Sequence, residues 1–170
     1  MENSSDCVEC RDPMASSDLT MCSPDGRFRV RVGCCQLESL MAMCRRSGDL
    51  ETGGVLIGRY NEAHDTAMVT RAMGPTSDSV RGRTSFWRGI QGLQQRINAL
   101  WKDREYYLGE WHYHPRGAGQ PSVRDKRQMV RIAESLDYNT PEPVLIVVGG
   151  SRWEVTAYVF PRHGHAVNLT

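Results

Sequence analysis

Phe28, Val30 and Val32 alternate with Arg27, Arg29 and Arg31, the period-2 pattern of a half-buried strand. Leu37, Leu40, Met41 and Cys44 then repeat at helical spacing and predict an amphipathic helix over 35–47, ended by Gly48. Glu51 to Tyr60 is a short apolar run bounded by glycines, which reads as a buried strand, and Thr66 to Met73 reads as another. The stretch from Gly74 to Ser85 is loop by composition. Ile90, Leu93, Ile97, Leu100 and Trp101 mark a second helix. Tyr106 to Trp111 predicts a strand that leads into a pair of histidines, and Pro115 to Pro121 a loop. Met129, Ile132, Ala133 and Leu136 mark a third helix, and strands over Val144–Val148 and Trp153–Phe160 close the pattern. Strands interleaved with helices predict an α/β or mixed α+β fold in one domain. Residues 1–26 carry Ser, Asp, Pro and Cys without periodicity and read as a flexible N-terminal extension to a domain over 27–170.

Length and composition narrow the classes. A chain of 170 residues with 39% hydrophobic and 24% charged residues has the composition of one ordinary globular domain. A formal net charge of +1 gives no global case for nucleic acid or an anionic membrane as partner. No apolar run is long enough to span a bilayer, and the polar start has no signal-peptide core. All six cysteines fall at or before Cys44, unlike a disulfide framework spread through a fold, so reduced thiols in the cytoplasm are expected.

The segment from Gly109 to Asp125 carries the chemistry. His112 and His114 stand at i and i+2, so on a strand both imidazoles point to one face. Asp125 follows after a Gly/Pro loop that can fold back. Two His and one carboxylate suit catalytic Zn²⁺, which keeps a fourth position for water. Ser122-Val-Arg-Asp125 also reads as a helix N-cap with an acidic third residue, and the two readings are compatible. The His-Glu-x-x-His pattern is absent, and the sole Cys-x-x-Cys, Cys7/Cys10, lies far upstream of where a deaminase would need it.

His112-x-His114-Pro, Ser122-x-x-Asp125 and the upstream Glu51-Thr-Gly-Gly together resemble the JAMM motif of the JAB/MPN+ metalloprotease family. The resemblance covers about residues 28–160, and its flanks are similar to the prokaryotic JAB branch. Within that branch the chain resembles the JAMM isopeptidases encoded beside bacterial E1- and E2-like proteins in antiphage operons, of CBASS or ubiquitin-like conjugation type. The resemblance implies a single MPN/JAB-type domain with a central mixed sheet flanked by helices. It implies one Zn²⁺ per chain held by His112, His114 and Asp125. Glu51 would take a proton from the attacking water and pass it to the leaving amine, and Ser122 would hydrogen-bond the developing oxyanion. The implied substrate is a ubiquitin-like protein or its conjugate, with operon-encoded E1/E2-like proteins as further partners. A processing peptidase acting on a ubiquitin-like or sulfur-carrier precursor is an alternative within hydrolases. A non-catalytic MPN scaffold is the alternative of another class, although such scaffolds typically lack ligands that are all present here.

Tyr113 departs from the Ser or Thr that most of the family carries between the histidines, and strand alternation turns it away from the metal. Glu110 shares the histidines' face and is a rival base by periodicity, but the motif favours Glu51. Arg81, Arg83 and Arg88 read as a solvated cluster, with Arg81 and Arg83 the candidates for substrate contact. Cys7, Cys10 and Cys22 lack an evident fourth ligand for a zinc knuckle. Cys44 fits the core, His64 a hairpin turn, and His163 and His165 an exposed tail.

Overall fold

A computed structural model describes residues 17–170. In chain order its elements are β1 (Leu19–Cys22), β2 (Arg29–Val32), α1 (Cys34–Ser47), β3 (Thr52–Tyr60) and β4 (Thr66–Met73). They continue with β5 (Val80–Arg81), β6 (Phe86–Trp87), α2 (Leu93–Leu100) and a 3₁₀ turn at Trp101–Asp103. The rest are β7 (Tyr106–His114), α3 (Val123–Glu134), β8 (Val144–Gly149), β9 (Glu154–Val159) and β10 (Val167–Leu169). The main sheet has eight strands in the order β1-β2-β4-β3-β7-β8-β9-β10. It is mixed, because β2 runs parallel to β4 and β7 parallel to β8 while the other neighbours are antiparallel. Cys22 and Thr170 exchange both backbone hydrogen bonds, at 3.0 and 2.9 Å, so the two ends of this order meet and the sheet curls on itself.

Both faces of the sheet are covered. One core gathers Val30, Val32, Leu56, Leu108, Trp111, Val144 and Ile146 around Leu40 and Cys44 of α1. The other packs Val55, Ile57, Leu145 and Val147 against Met129 and Ile132 of α3 and Leu93 of α2. Burial on both sides explains why β3 and β8 read as continuous apolar runs rather than alternating ones. In β7 the alternation has one break. Leu56 pairs with Gly109 and Ile57 with Tyr107, so the register slips past Leu108 in a bulge. Gly109 has φ +152°, and a Cβ there would run into the Val144 carbonyl. Beyond the bulge the alternation is regular: Glu110, His112 and His114 take one face, Trp111 and Tyr113 the other.

The structure corrects several boundaries. The expected extension over 1–26 includes β1, whose Leu19 to Cys22 pair with Val32 to Arg29. Asp18 fixes the start of that strand, accepting from the Arg31 guanidinium and from the Cys34 backbone N–H at the head of α1. Residues 1–16, including Cys7 and Cys10, lie outside the described residues. The expected loop over 74–85 contains β5, which pairs with β6. Strand β7 continues past Trp111 through both histidines. Ile90, Trp101 and Leu136 are exposed and lie outside the helices their spacing suggested. Strand β10 occupies part of the expected C-terminal tail. His64 does sit in the turn between β3 and β4, at φ +56°. Among the described residues no helix is long and apolar enough to cross a membrane.

Candidate metal centre and its surroundings

Strand β7 brings His112 and His114 to one face, and α3 starts directly against them. That helix begins with a capping box. The Ser122 hydroxyl accepts from the Asp125 backbone N–H at 3.2 Å, and Asp125 Oδ2 accepts from the Ser122 backbone N–H at 2.7 Å. The cap fixes the Asp125 carboxylate against the strand. Its Oδ1 lies 2.9 Å from His112 Nδ1, and its Oδ2 lies 3.4 Å from His114 Nε2. One ligand atom from each of the three residues falls within 4.8 Å of the others, a spacing that fits a single metal ion. His112 and Asp125 are buried and His114 is half-buried, so the group is approached from the His114 side. Among the described residues this is the one such cluster of His, Cys, Asp or Glu side chains. Borderline N and O donors of this kind suit Zn²⁺.

The electrostatics make the same demand. Burial alone would push the His112 ring down, but its contacts with Asp125 and Glu110 outweigh that and raise it to about 9. Burial would likewise raise Asp125, yet the bonds from His112 and His114 hold its carboxyl well below the usual range. Both shifts express how closely the carboxylates approach the His112 ring, and a metal bound there would take the place of the ring proton facing Asp125.

Glu51 lies immediately before β3, its backbone N–H donating to the Gly82 carbonyl at 2.8 Å. Burial raises its carboxyl above the ordinary value, opposed by the charges of His114 and His112 and reinforced by that of Asp125. A half-buried carboxyl raised in this way, within electrostatic reach of the His-His-Asp group, is suited to exchanging a proton. Ser122 is exposed, and its hydroxyl accepts in the cap, which leaves its proton available to a carbonyl oxygen.

The β5–β6 hairpin flanks the site. Phe86 is buried edge-on to His112, with ring centroids 5.7 Å apart. Gly53 makes this possible, because a Cβ there would meet the Phe86 ring at 2.7 Å and also the Trp111 carbonyl. The outer side of the hairpin carries Val80 and Trp87, a cross-strand pair exposed to 63% and 58%. The Arg124 guanidinium, from the first turn of α3, lies 4.5 Å over the Trp87 ring. Arg81 and Arg83 are exposed on the same hairpin. Arg88 departs from the expected solvated cluster: its side chain is 8% exposed, with Nε 2.8 Å from Glu110 Oε1. Tyr113 lies in the opposite core and stacks on Trp153 at 5.8 Å and 11°.

Sequence reasoning did not find Gln128, Trp87 or Arg124, and it placed Arg88 in solvent rather than against Glu110. A signal existed for Arg88. A carboxylate on the buried face of an apolar strand requires a buried cation, and Glu110 is such a carboxylate.

Residues 36–160 match the family described as prokaryotic homologs of the JAB domain. The chain belongs to that family. It is 39% identical over 159 residues to a CD-NTase/cGAS isopeptidase of Enterobacter hormaechei, covering 92% of this chain and 88% of the relative. A probable metalloprotease of Sinorhizobium fredii is 31% identical over 134 residues, with coverage of 72% and 78%. The solution structure of a Desulfitobacterium hafniense protein superposes with a TM-score of 0.61 at 19% identity, covering 81% of this chain and 87% of that one, which shows the shared fold. This JAB domain is thus an enzyme of a peptidase-like family, with a mixed α+β fold and a His-His-Asp group suited to a metal ion.

Proposed function

We propose that this JAB domain is a zinc-dependent isopeptidase. Its substrate is the amide joining the C terminus of a ubiquitin-like protein to its conjugate. The observation that carries the reading is the convergence of His112, His114 and Asp125 beside a Glu51 carboxyl raised by burial. The Enterobacter hormaechei relative, named a CD-NTase/cGAS isopeptidase, supports the substrate class.

His112, His114 and Asp125 would hold one zinc ion. When bound, zinc supplies a Lewis acid that polarises the scissile carbonyl and acidifies a water. Glu51 takes the proton from that water and returns it to the leaving amine, acting as base and then acid. Ser122 donates its hydroxyl proton to the developing oxyanion, a contact worth ~3–4 kcal/mol where water is excluded. The substrate tail approaches along the hairpin. Strands β3, β7 and β8 are interior to the main sheet, so the edge near the site belongs to β5 and β6. An extended tail pairing there places its last carbonyl at the cluster through backbone bonds, which require little of its side chains. Arg81 and Arg83 then face the body of the substrate. The enzyme works in the cytoplasm, in antiviral defence, beside the E1- and E2-like proteins that make its substrate.

The experiment compares two substrates built on the ubiquitin-like protein encoded nearby. One is a linear fusion to a reporter, the other an isopeptide to a lysine side chain. Cleavage of the lysine-linked form supports this reading, and cleavage of the fusion alone makes the enzyme a precursor-processing peptidase. Equal digestion of unfolded casein would overturn the claim of specificity.

A further inference from the structure

Glu110 is fully buried on the polar face of β7, two residues before His112. A lone buried carboxylate is costly, yet this one is surrounded by donors. Arg88 Nε lies 2.8 Å from Oε1, Tyr107 donates its hydroxyl to Oε1 at 3.3 Å, and Gln128 Nε2 donates to Oε2 at 2.6 Å. Arg88 is itself tied to the Tyr138 hydroxyl at 2.9 Å. Residues just after the hairpin, on β7 and on α3 therefore converge on one carboxylate, and Tyr138 beyond α3 braces Arg88.

The same Oε2 stands 3.4 Å from His112 Nε2. That nitrogen is the one buried side-chain polar atom among the described residues without a hydrogen-bond partner. The other ring nitrogen, Nδ1, faces Asp125. We propose that Glu110 is a positioning residue that holds the His112 proton on Nε2, so that the Nδ1 lone pair is presented to the metal. Arg88, Tyr107 and Gln128 all donate to Glu110, so the carboxylate cannot turn away from His112 without losing a bond. The ring is held from both sides, by Phe86 at its edge and Glu110 at its rear. Histidine ligands generally donate their second N–H to a carboxylate, a backbone carbonyl or water, and losing that partner typically costs 10–100-fold in metal affinity or activity. This assignment makes Glu110 a support for the ligand rather than the base.

The inference rests on the zinc reading above, and its test separates the two. Zinc affinity by competition with a chromophoric chelator, and ¹⁵N correlations of the His112 ring, are measured on the zinc-loaded full chain. The wild type is expected to show Nδ1 bound to metal and a proton on Nε2. Glu110→Gln is expected to weaken zinc binding 10–100-fold. The double variant Glu110→Gln/Gln128→Glu keeps one buried carboxylate and one amide but turns an amide toward His112. It is expected to remain folded and still to bind zinc weakly. A purely structural Glu110 predicts instead that this exchange restores wild-type affinity, and that result overturns the proposal. A proton on Nδ1 with metal on Nε2 in the wild type also overturns it. If the wild type binds no zinc, the functional reading fails and this one fails with it. If the wild type binds zinc and cleaves while Glu110→Gln binds equally well, only the positioning role falls.

Discussion

Strand β7 and the segment from Gly74 to Gly92 meet at the candidate metal centre, but different forces hold them. Strand β7 is interior to the sheet, hydrogen-bonded on both sides, with Trp111 and Leu108 sealed in one core and Glu110 locked in a polar cluster on the other face. The segment has just two short paired strands, and side chains do most of the work of holding its backbone. Asp78 accepts from the backbone N–H groups of Ile90 and Gln91, and Ser79 from that of Gly89. Its apolar residues point outward, apart from Phe86. The two histidines stand on the interior strand, while the exposed Val80 and Trp87 sit on a surface held by turn contacts. A surface held in this way can change without disturbing the His-His-Asp group.

The largest effects are expected on the rigid side. Asp125→Ala removes a ligand and the helix cap together, and elemental analysis should find zinc lost and turnover undetectable. Retained zinc with full activity would break the assignment. Next in size, Glu51→Gln should keep its zinc while turnover falls ~10²–10⁴-fold, the scale of a general acid–base. Should Glu110→Gln instead keep zinc and abolish turnover while Glu51→Gln stays active, the roles of the two carboxylates are exchanged.

Smaller effects belong to the hairpin. Trp87→Ala removes the platform under Arg124, and KM for a ubiquitin-like conjugate should rise on the order of tenfold, about 1.4 kcal/mol, with kcat little changed. A fall in kcat alone would place Trp87 in the chemistry rather than in binding. The smallest effect concerns acid. The Thr76 hydroxyl and the backbone N–H groups of Ile90 and Gln91 lower the Asp78 carboxyl to about 2. Its folded-state value is depressed, so its stabilisation is complete above the unfolded value of ~3.9 and is lost as pH falls toward 2. NMR shifts of the Ile90 and Gln91 amides should titrate with a midpoint near 2 in the wild type and stay flat in Asp78→Asn. A midpoint near 4 would mean that the turn is open in solution.

The same division governed what could be read from the sequence. The His-His-Asp group was legible because its members lie on or at the start of long regular elements. His112 and His114 follow strand alternation, and Ser122 to Asp125 follow cap chemistry, so the structure brings together what the spacing implied. The β5–β6 hairpin was not legible, because two-residue strands leave no period to detect. Strands β1 and β10 were missed for a related reason. Each is short, and they meet at Cys22 and Thr170, a tertiary event with no local signature. The pairing of Arg88 with Glu110 spans 22 residues of chain and depends on a fold-back that no local rule describes.

That meeting of Cys22 and Thr170 also bears on how copies of the chain behave when crowded. Outer strands of an open sheet are templates on which a second molecule can continue the ladder, the usual start of fibrillar self-association. Where Cys22 and Thr170 bond to each other, part of that template is already closed. Colloidal risk then concentrates at the hairpin, where Val80 and Trp87 sit on an edge flanked by arginines whose like charges repel a second copy. Neutralising Arg81 and Arg83 should therefore make concentrated solutions cloud sooner, even where folding is unchanged.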